Sequence, residues 1–434
     1  MRFSRYLAAC AGLLLLAPLA RAQDGDRITL EIDNPSEAAT LIRVPLNLSD
    51  KYAKLTDLKV TIELPSGTAK GTALLMLPSL ATEKAEALGT GKLRRDLWIG
   101  IPSKQKKLTI HLDPTPWGVP AAAYSQWKNK EGEYTDLVMS GKPVMRYVYK
   151  AYDNSKENRD KTYKVFHHLY DPTGKRFVTN GGDTNDPLPK NPKDLLYPHH
   201  RGLMYAFNKI TYDDKKTCDT WHAKPGDTHE EHVKFLSEET GPGIGRHRVA
   251  VNWHGPKNEV FLNEERELTA FKMGKGVLVE FAALLKTPGG TVKLDGDPQH
   301  AGFQFRAHND VAVSSKNDTY YLRPDGKGDF GEKGTRNWDA KKGGPTDLGW
   351  DACSFVLDGK RYTVVYMDHP KNPHPSRWSE RDYARFGCYF EAEVTKERPL
   401  LVNYRVWLQE GEMTVEECEA LYKAFTAPPK VTAK

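Results

Sequence analysis

The sequence predicts an all-β protein in two parts: a small β-sandwich, then a large antiparallel β fold closed by one helix. Three observations carry this. Apolar and polar residues alternate over many short runs, the pattern of half-buried strands. Gly, Pro and Asp-Gly turns punctuate those runs at short intervals. Helical periodicity does not alternate with the strands, which argues against a βαβ arrangement. It surfaces once, near the end, where Thr414 and Glu417 make a capping-box pattern and Val415, Cys418, Leu421, Tyr422 and Phe425 follow a helical spacing.

Residues 1–22 read as a secretory leader. Arg2 and Arg5 give a basic start, Leu7 to Leu19 is largely apolar, and Ala20-Arg21-Ala22 offers small residues at a cleavage point. The apolar run is short for a bilayer, and no later stretch is apolar enough to span one. An exported chain, periplasmic or extracellular, is expected. The net charge of +6 is small for 434 residues, and acids and bases are interspersed. Neither nucleic acid nor a membrane surface is an expected partner. Cys218, Cys353, Cys388 and Cys418 are widely separated, with no C-x-x-C. Their pairing is open, and zero or one disulfide is expected before a thiolate metal site.

Residues 23–113 form the first part. Ile28 to Ile32, Thr40 to Leu46, Leu58 to Leu64, Thr72 to Leu77, Leu93 to Ile101 and Lys107 to Leu112 read as strands of an Ig-like sandwich, separated by turns such as Pro65-Ser66-Gly67. This part holds one of the 14 histidines, His111, and reads as a packing module. Residues 114–142 open on the proline-rich Pro114 to Pro120 and read as a linker. Residues 143–426 hold the recurring strands and the helix. The glycine- and lysine-rich stretch from Asp325 to Gly349 reads as a surface loop, and residues 427–434 as a frayed tail.

Every histidine except His111 lies in the second part, so histidine chemistry belongs there. Four clusters stand out. Tyr197-Pro198-His199-His200-Arg201-Gly202 sets two imidazoles and a guanidinium between Pro198 and Gly202. Neighbours on a regular strand face opposite ways, so both rings share a pocket only at an irregular strand entry. Asp219 to His222 with His229 and His232 is the second cluster. Its His-x-x-His spacing is not the zinc-protease pattern, and a polar loop is the expected context. The third is His300 to His308, where alternation puts His300, Gly302, Gln304, Arg306 and His308 on one face and Phe303 and Phe305 on the core side. Imidazole, amide and guanidinium in a row suit the floor of a polar groove. The fourth runs from Asp368-His369-Pro370-Lys371-Asn372-Pro373 through Trp378, Arg381 and Tyr383. Its prolines can hold a loop ready against a ligand.

Tyr197 to Leu203, the strand 300–306, and Asp368 to Pro373 through Trp378 and Tyr383 resemble the bacterial domain family labelled "methane oxygenase PmoA", over roughly residues 140–425. The membrane methane monooxygenase subunit is a helical bundle, so its copper and oxygen chemistry is not implied. The resemblance implies a galactose-mutarotase-like β-supersandwich, a fold that hosts sugar epimerases, polysaccharide lyases and glycoside hydrolases. His374 sits one place earlier than the family's Asn-Pro-x-His spacing, which favours His369 as the site residue.

Taken together, the residues predict an exported carbohydrate-active protein. His199, His200 and His300 are the expected acid/base groups, and Arg201 and Arg306 the stabilisers of negative charge. Trp221, Gln304, His369, Asn372, Trp378, Arg381 and Tyr383 are expected to bind the sugar. Two alternatives stand beside this. One is a metal-dependent hydrolase or lyase with ligands drawn from His199, His200, His222, His229, His300 and His369 and an acid such as Asp219; no cofactor is required by the sequence, and a divalent metal is left open. The other is a non-catalytic glycan-binding protein.

Overall fold

A computed structural model describes residues 28–33, 40–64, 67–101, 106–180, 196–213, 215–297 and 299–434. The leader expected at 1–22 lies outside the described residues. The chain forms two compact units: Met1–Tyr124 with Gly241–Gly243 and Lys423–Lys434, and Ser125–Thr240 with Ile244–Tyr422.

In the first unit seven strands form one antiparallel sheet in the order Thr40–Leu48, Leu93–Ile101, Gly67–Met76, Asp57–Leu64, Lys107–Asp113, Ile28–Asp33 and Lys430–Ala433. Alternation in each strand sends Leu30, Ile32, Val44, Leu46, Val60, Ile99 and Ile110 into one cluster. Strands from opposite halves of the sheet share that cluster, so the sheet curves over its own apolar face. The last strand corrects the expectation of a frayed tail: Val431 and Ala433 pack on the cluster while Leu30 to Asp33 pair with Ala433 to Lys430.

The second unit holds sheets of nine, eight and four strands. The nine-stranded sheet runs His229–Gly241, Ile244–His254, Val260–Met273, Gly276–Lys286, Leu400–Glu410, Lys360–Asp368, Trp350–Leu357, Tyr320–Arg323 and Gly326–Lys327. The eight-stranded sheet runs Arg377–Arg381, Arg385–Tyr389, Ala301–Arg306, Leu203–Phe207, Phe166–Leu169, Lys142–Val148, Tyr134–Met139 and Gln126–Lys130. Their inner faces meet in an aromatic core. Phe281 of the larger sheet stacks on Phe303 of the other at 4.2 Å. Tyr404 stacks on Phe303 at 5.1 Å, and the Tyr366 hydroxyl donates to the Phe303 carbonyl at 3.1 Å. Burial of each such ring contributes about 2–3 kcal/mol, and the Tyr366 bond satisfies a hydroxyl that burial would otherwise penalise.

Two further expectations are corrected here. The stretch read as a linker supplies the strands Gln126–Lys130 and Tyr134–Met139, whose short alternating runs sit between Pro- and Gly-containing turns. The stretch holding His229 and His232, read as a polar loop, is a 13-residue strand on the edge of the nine-stranded sheet. Its sequence is dense in charge because an edge strand faces water, where charged side chains discourage pairing with other chains.

The eight-stranded sheet positions the site. Its inward residues, Tyr205, Phe303, Phe305 and Phe386, enter the aromatic core. Its outward residues include Met204, Gln304, Arg306 and Arg385, and all four are buried as well. Met204, Ala206, Phe166, Val148 and Trp221 make a second, small apolar cluster on this outer face. The expected alternation is present over the strand 301–306, but its polar residues Gln304 and Arg306 lie beneath other residues, while His300, just before the strand, is partly exposed.

Candidate functional site

A cavity of about 280 Å³ opens over the outer face of the eight-stranded sheet, lined by Tyr197, His199, His200, His222, Gln299, His300, Arg381, Tyr383 and Arg385. That is near the lower end for small-molecule sites. Three loops and one hairpin build it.

The first loop, Leu196 to Arg201, is a tight turn. The His200 amide donates to the Tyr197 carbonyl at 2.9 Å. Asn180 holds the His200 carbonyl at 2.6 Å, and the Tyr163 hydroxyl holds that of His199 at 2.8 Å. The turn, not a strand, lets both rings face the cavity, with centroids 4.4 Å apart. Gly202 is required where the chain leaves the turn: its φ is +45°, and a Cβ there would stand 2.1 Å from the His167 carbonyl oxygen. Tyr197 also has a positive φ, +54°, a strained state for a residue with a side chain. Its ring stacks on Tyr383 at 4.9 Å.

The second and third loops share one construction. Asp219 accepts from the amides of Trp221 and His222 and from Nδ1 of His222 at 2.9 Å. Asp297 accepts from the Gln299 amide and from Nδ1 of His300 at 2.8 Å. Each carboxylate fixes the orientation of its ring and leaves Nε2 as the free nitrogen. The two rings are 4.9 Å apart, and His222 lies the same distance from His199. Burial alone would raise the Asp219 pKa, but hydrogen bonds from His222 and Lys224 outweigh it and hold the carboxyl at about 2. Asp297 is lowered against its own burial, chiefly by His300. Burial, reinforced by Lys164, His222, His300 and Arg201, drives the His199 pKa down to about 3. Burial drives His200 well below its ordinary value too, with His199, Arg385 and Arg306 adding to the effect. Both rings are neutral at physiological pH. Neither nitrogen of His200 has a hydrogen-bond partner among the described residues.

The hairpin joins Arg377–Arg381 to Arg385–Tyr389 through Asp382, Tyr383 and Ala384, with Ala384 at φ +54° closing the turn. It presents Arg381, Tyr383 and Arg385 to the cavity.

Of the residues expected from sequence, His199, His200, His300, Arg381 and Tyr383 meet in this cavity. The others expected to act on or bind the sugar do not line it, whereas His222, expected as a metal ligand, does. Trp221 and Trp378 have no exposed surface, so neither is a platform for a sugar. Trp221 lies beneath His200 and His300 at 5.6 and 6.0 Å, while Trp378 packs edge-on against Tyr366 in the core. Burying so large an apolar ring outweighs displaying it. Arg201 is buried near Phe166. Arg306 lies behind Tyr383, 4.3 Å from its ring, and donates to the Tyr383 carbonyl at 2.6 Å. Gln304 is spent on the Ala301 carbonyl and on Arg385. Asn372 locks its own corner, donating to Asp368 at 2.7 Å and to the Asn403 carbonyl at 2.8 Å. His369 accepts the Lys371 amide at 3.1 Å in that corner. Among the metal candidates, His229 stacks between Tyr152 and His254 outside the cavity. No group of three His, Cys, Asp or Glu among the described residues is disposed to hold a metal ion. The four expected cysteines are buried free thiols.

The model of a family of unknown function, DUF6807, matches residues 134–423, two thirds of the chain and every residue of the cavity. The chain belongs to that family. The label "methane oxygenase PmoA" expected from the motifs finds no support in the match. No curated protein matches the sequence. Among solved structures, an α-mannosidase from Enterococcus faecalis V583 is 7% identical at a TM-score of 0.41, over 94% of this chain and 46% of that one. A GH36 α-galactosidase from Geobacillus stearothermophilus is 8% identical at 0.32, over 67% and 41%. A galactose mutarotase-like protein from Clostridium acetobutylicum is 10% identical at 0.29, over 66% and 98%. The chain spans less than half the length of the first two, and the likeness in each case is one of fold alone.

The sequence points to no acid/base or sugar-binding role for four residues of the DUF6807 cavity: Tyr197, Gln299, Arg385, and His222, expected only as a metal ligand. A signal for two of its features was present. Asp219-Thr220-Trp221-His222 and Asp297-Pro298-Gln299-His300 repeat one Asp-x-x-His pattern, which brings the carboxylate back onto Nδ1 of the ring.

Proposed function

We propose that the cavity binds a small sugar and moves protons on it, with His222 and His300 as the acid/base pair. The observation that carries this is the pair of Asp-x-x-His units. They deliver two carboxylate-anchored imidazoles to one cavity with ring centroids 4.9 Å apart. Each ring has one nitrogen held from behind and one free, the arrangement of a positioned proton carrier. Neutral His199 stands beside them as an additional hydrogen-bonding group. The stacked rings of Tyr197 and Tyr383 form the apolar wall against which a sugar face packs. We further propose that the chain is exported and works after loss of residues 1–22.

Among the reactions weighed from sequence, epimerisation and β-elimination fit best. Both need a base to take a proton and an acid to return one. Glycoside hydrolysis by the usual route needs two carboxyl groups flanking the bond. The described residues lining the cavity include no Asp or Glu, and Asp219 and Asp297 are engaged behind their histidines.

The test is proton NMR in heavy water, with a panel of neutral and acidic hexoses and short oligosaccharides. The expected result is solvent deuterium entering a C–H position, or an unsaturated product, with the signal lost in His300→Ala and His222→Ala. Full turnover in both variants overturns the assignment. Binding without any exchange or product favours a non-catalytic glycan-binding protein.

A further inference from the structure

Six described arginines of the second unit are no more than 1% exposed: Arg146, Arg246, Arg266, Arg306, Arg323 and Arg385. A buried charge is costly unless it is paired. Four follow that rule. Arg146 pairs with Asp136, Arg246 with Glu239, Arg266 with Glu264 and Glu230, and Arg323 with Glu380. Arg306 and Arg385 do not. Among the described residues Arg306 bonds only to the Tyr383 carbonyl, and Arg385 to the Gln304 side-chain oxygen at 3.2 Å and the Ser379 hydroxyl at 3.1 Å. Nε and one terminal nitrogen of Arg306, and Nε of Arg385, have no partner among the described residues.

These two exceptions are neighbours. Strand pairing sets Arg306 opposite Arg385, and Arg385 opposite Arg381. Directly opposed residues of antiparallel strands share a face, and like charges there destabilise the sheet. Among the described residues Arg381 has no carboxylate partner either: its guanidinium donates to the Asn337 side chain and the Glu380 carbonyl. Three guanidiniums thus lie side by side under one cavity, which Arg381 and Arg385 line. Burial lowers the pKa of both Arg306 and Arg385, with the Arg385 charge adding to it at Arg306 and the Arg381 charge at Arg385, a sign that the described residues supply them no matching negative charge.

We propose that the ligand of this cavity carries a permanent oxyanion, a carboxylate or a phosphate, seated on Arg385 and Arg381 with Arg306 adding its charge from behind Tyr383. The planar fork of a guanidinium matches both groups. The inference rests on the sugar reading above and narrows it to acidic sugars: the anion anchors the molecule on the arginine row and leaves its ring beneath the imidazoles.

The experiment is calorimetric titration of the full protein with glucose, galactose, glucuronate, galacturonate, glucose 6-phosphate, acetate and inorganic phosphate. An acidic sugar is expected to bind about ten- to a hundredfold more tightly than its neutral parent, the worth of a charge-assisted bond, and to weaken as salt rises. The carboxylate and phosphate arms tell the two anions apart. Arg381→Gln at the rim is expected to reduce that preference, and Arg385→Lys to reduce it further. Melting curves check that each variant is folded, and the wild-type comparison stands if Arg385→Lys is not. Equal affinity for glucose, glucuronate, galacturonate and glucose 6-phosphate overturns the oxyanion and leaves the sugar reading in place. Tight binding of acetate or phosphate with no gain from a sugar ring keeps the oxyanion and overturns the sugar reading. No binding of any oxyanion at millimolar concentration overturns the proposal.

Discussion

Two histidine- and proline-containing loops look alike in the sequence and differ in the fold. In Asp368 to Ser376 the polar groups are turned inward on one another. Asn372 donates to Asp368 and to the Asn403 carbonyl and accepts the Asn403 amide at 2.8 Å. His374 bonds Asp347 at 2.8 Å and the Pro370 carbonyl at 3.2 Å. In Leu196 to Arg201 the backbone is pinned instead, and the imidazoles are left over. His200 is almost fully buried, lines the cavity and, among the described residues, bonds through neither nitrogen. Composition alone does not separate a structural corner from a binding loop. What separates them is whether the side chains or the main chain hold the loop in shape.

The comparison breaks most visibly through the residues that face the cavity beside His199. His222→Ala and His300→Ala are each expected to lower turnover by about 10²–10⁴-fold, the usual share of a positioned acid or base. The change in melting temperature is expected to be small, because both rings are about a third exposed. Steady-state rates on the best sugar of the panel, beside thermal melts, check this. Asn372→Ala is expected to do the reverse. It strips partners from a buried carboxylate and a part-buried backbone pair, costing roughly 2–4 kcal/mol of stability, with kcat/KM of the folded fraction unchanged. A variant that melts normally but has lost activity would make the corner part of the site.

The sequence made the fold class legible because strand alternation is local. Phe303 and Phe305 were assigned to the core, and both pack there against Phe281, Tyr404 and Phe355. His199, His200 and His300 were legible as a cluster because few solvent-facing stretches carry that composition. Trp221, Trp378, Gln304 and Arg306 went the other way for one reason: a residue's face on a strand follows from spacing, but what covers that face does not. Arg385 escaped notice because its meaning lies in register. Only the pairing Arg306, Arg385, Arg381 shows three like charges abreast, and no local pattern encodes it. The strand Lys430–Ala433 was missed for a related reason, since its partner, Ile28–Asp33, lies at the other end of the described chain.

The pH dependence is the most diagnostic effect, because the two loops should respond to pH with opposite sign. His199 and His200 have folded pKa values lowered by burial, His199 to about 3. The unfolded rings take up a proton near pH 6.5, so below that pH the unfolded state binds more protons than the folded one. Stability is then lost as pH falls from about 6.5 toward 3, by about 1.4 kcal/mol per pH unit for each ring. His374 is raised by its bond to Asp347. Its contribution is present below about 6.5 and disappears as pH rises through the higher folded value; at 40% exposure it is largely screened. Chemical denaturation from pH 7.5 to 5 is expected to show a falling stability whose slope is shallower in His199→Gln and unchanged in His374→Gln. Ring-proton NMR supplies the residue-level reading: the His374 signal should move above pH 6.5, while those of His199 and His200 stay still down to pH 5. A His200 resonance titrating near 6.5 would mean that water reaches the ring. The contrast between a loop held by its side chains and one held by its backbone would then lose its physical basis.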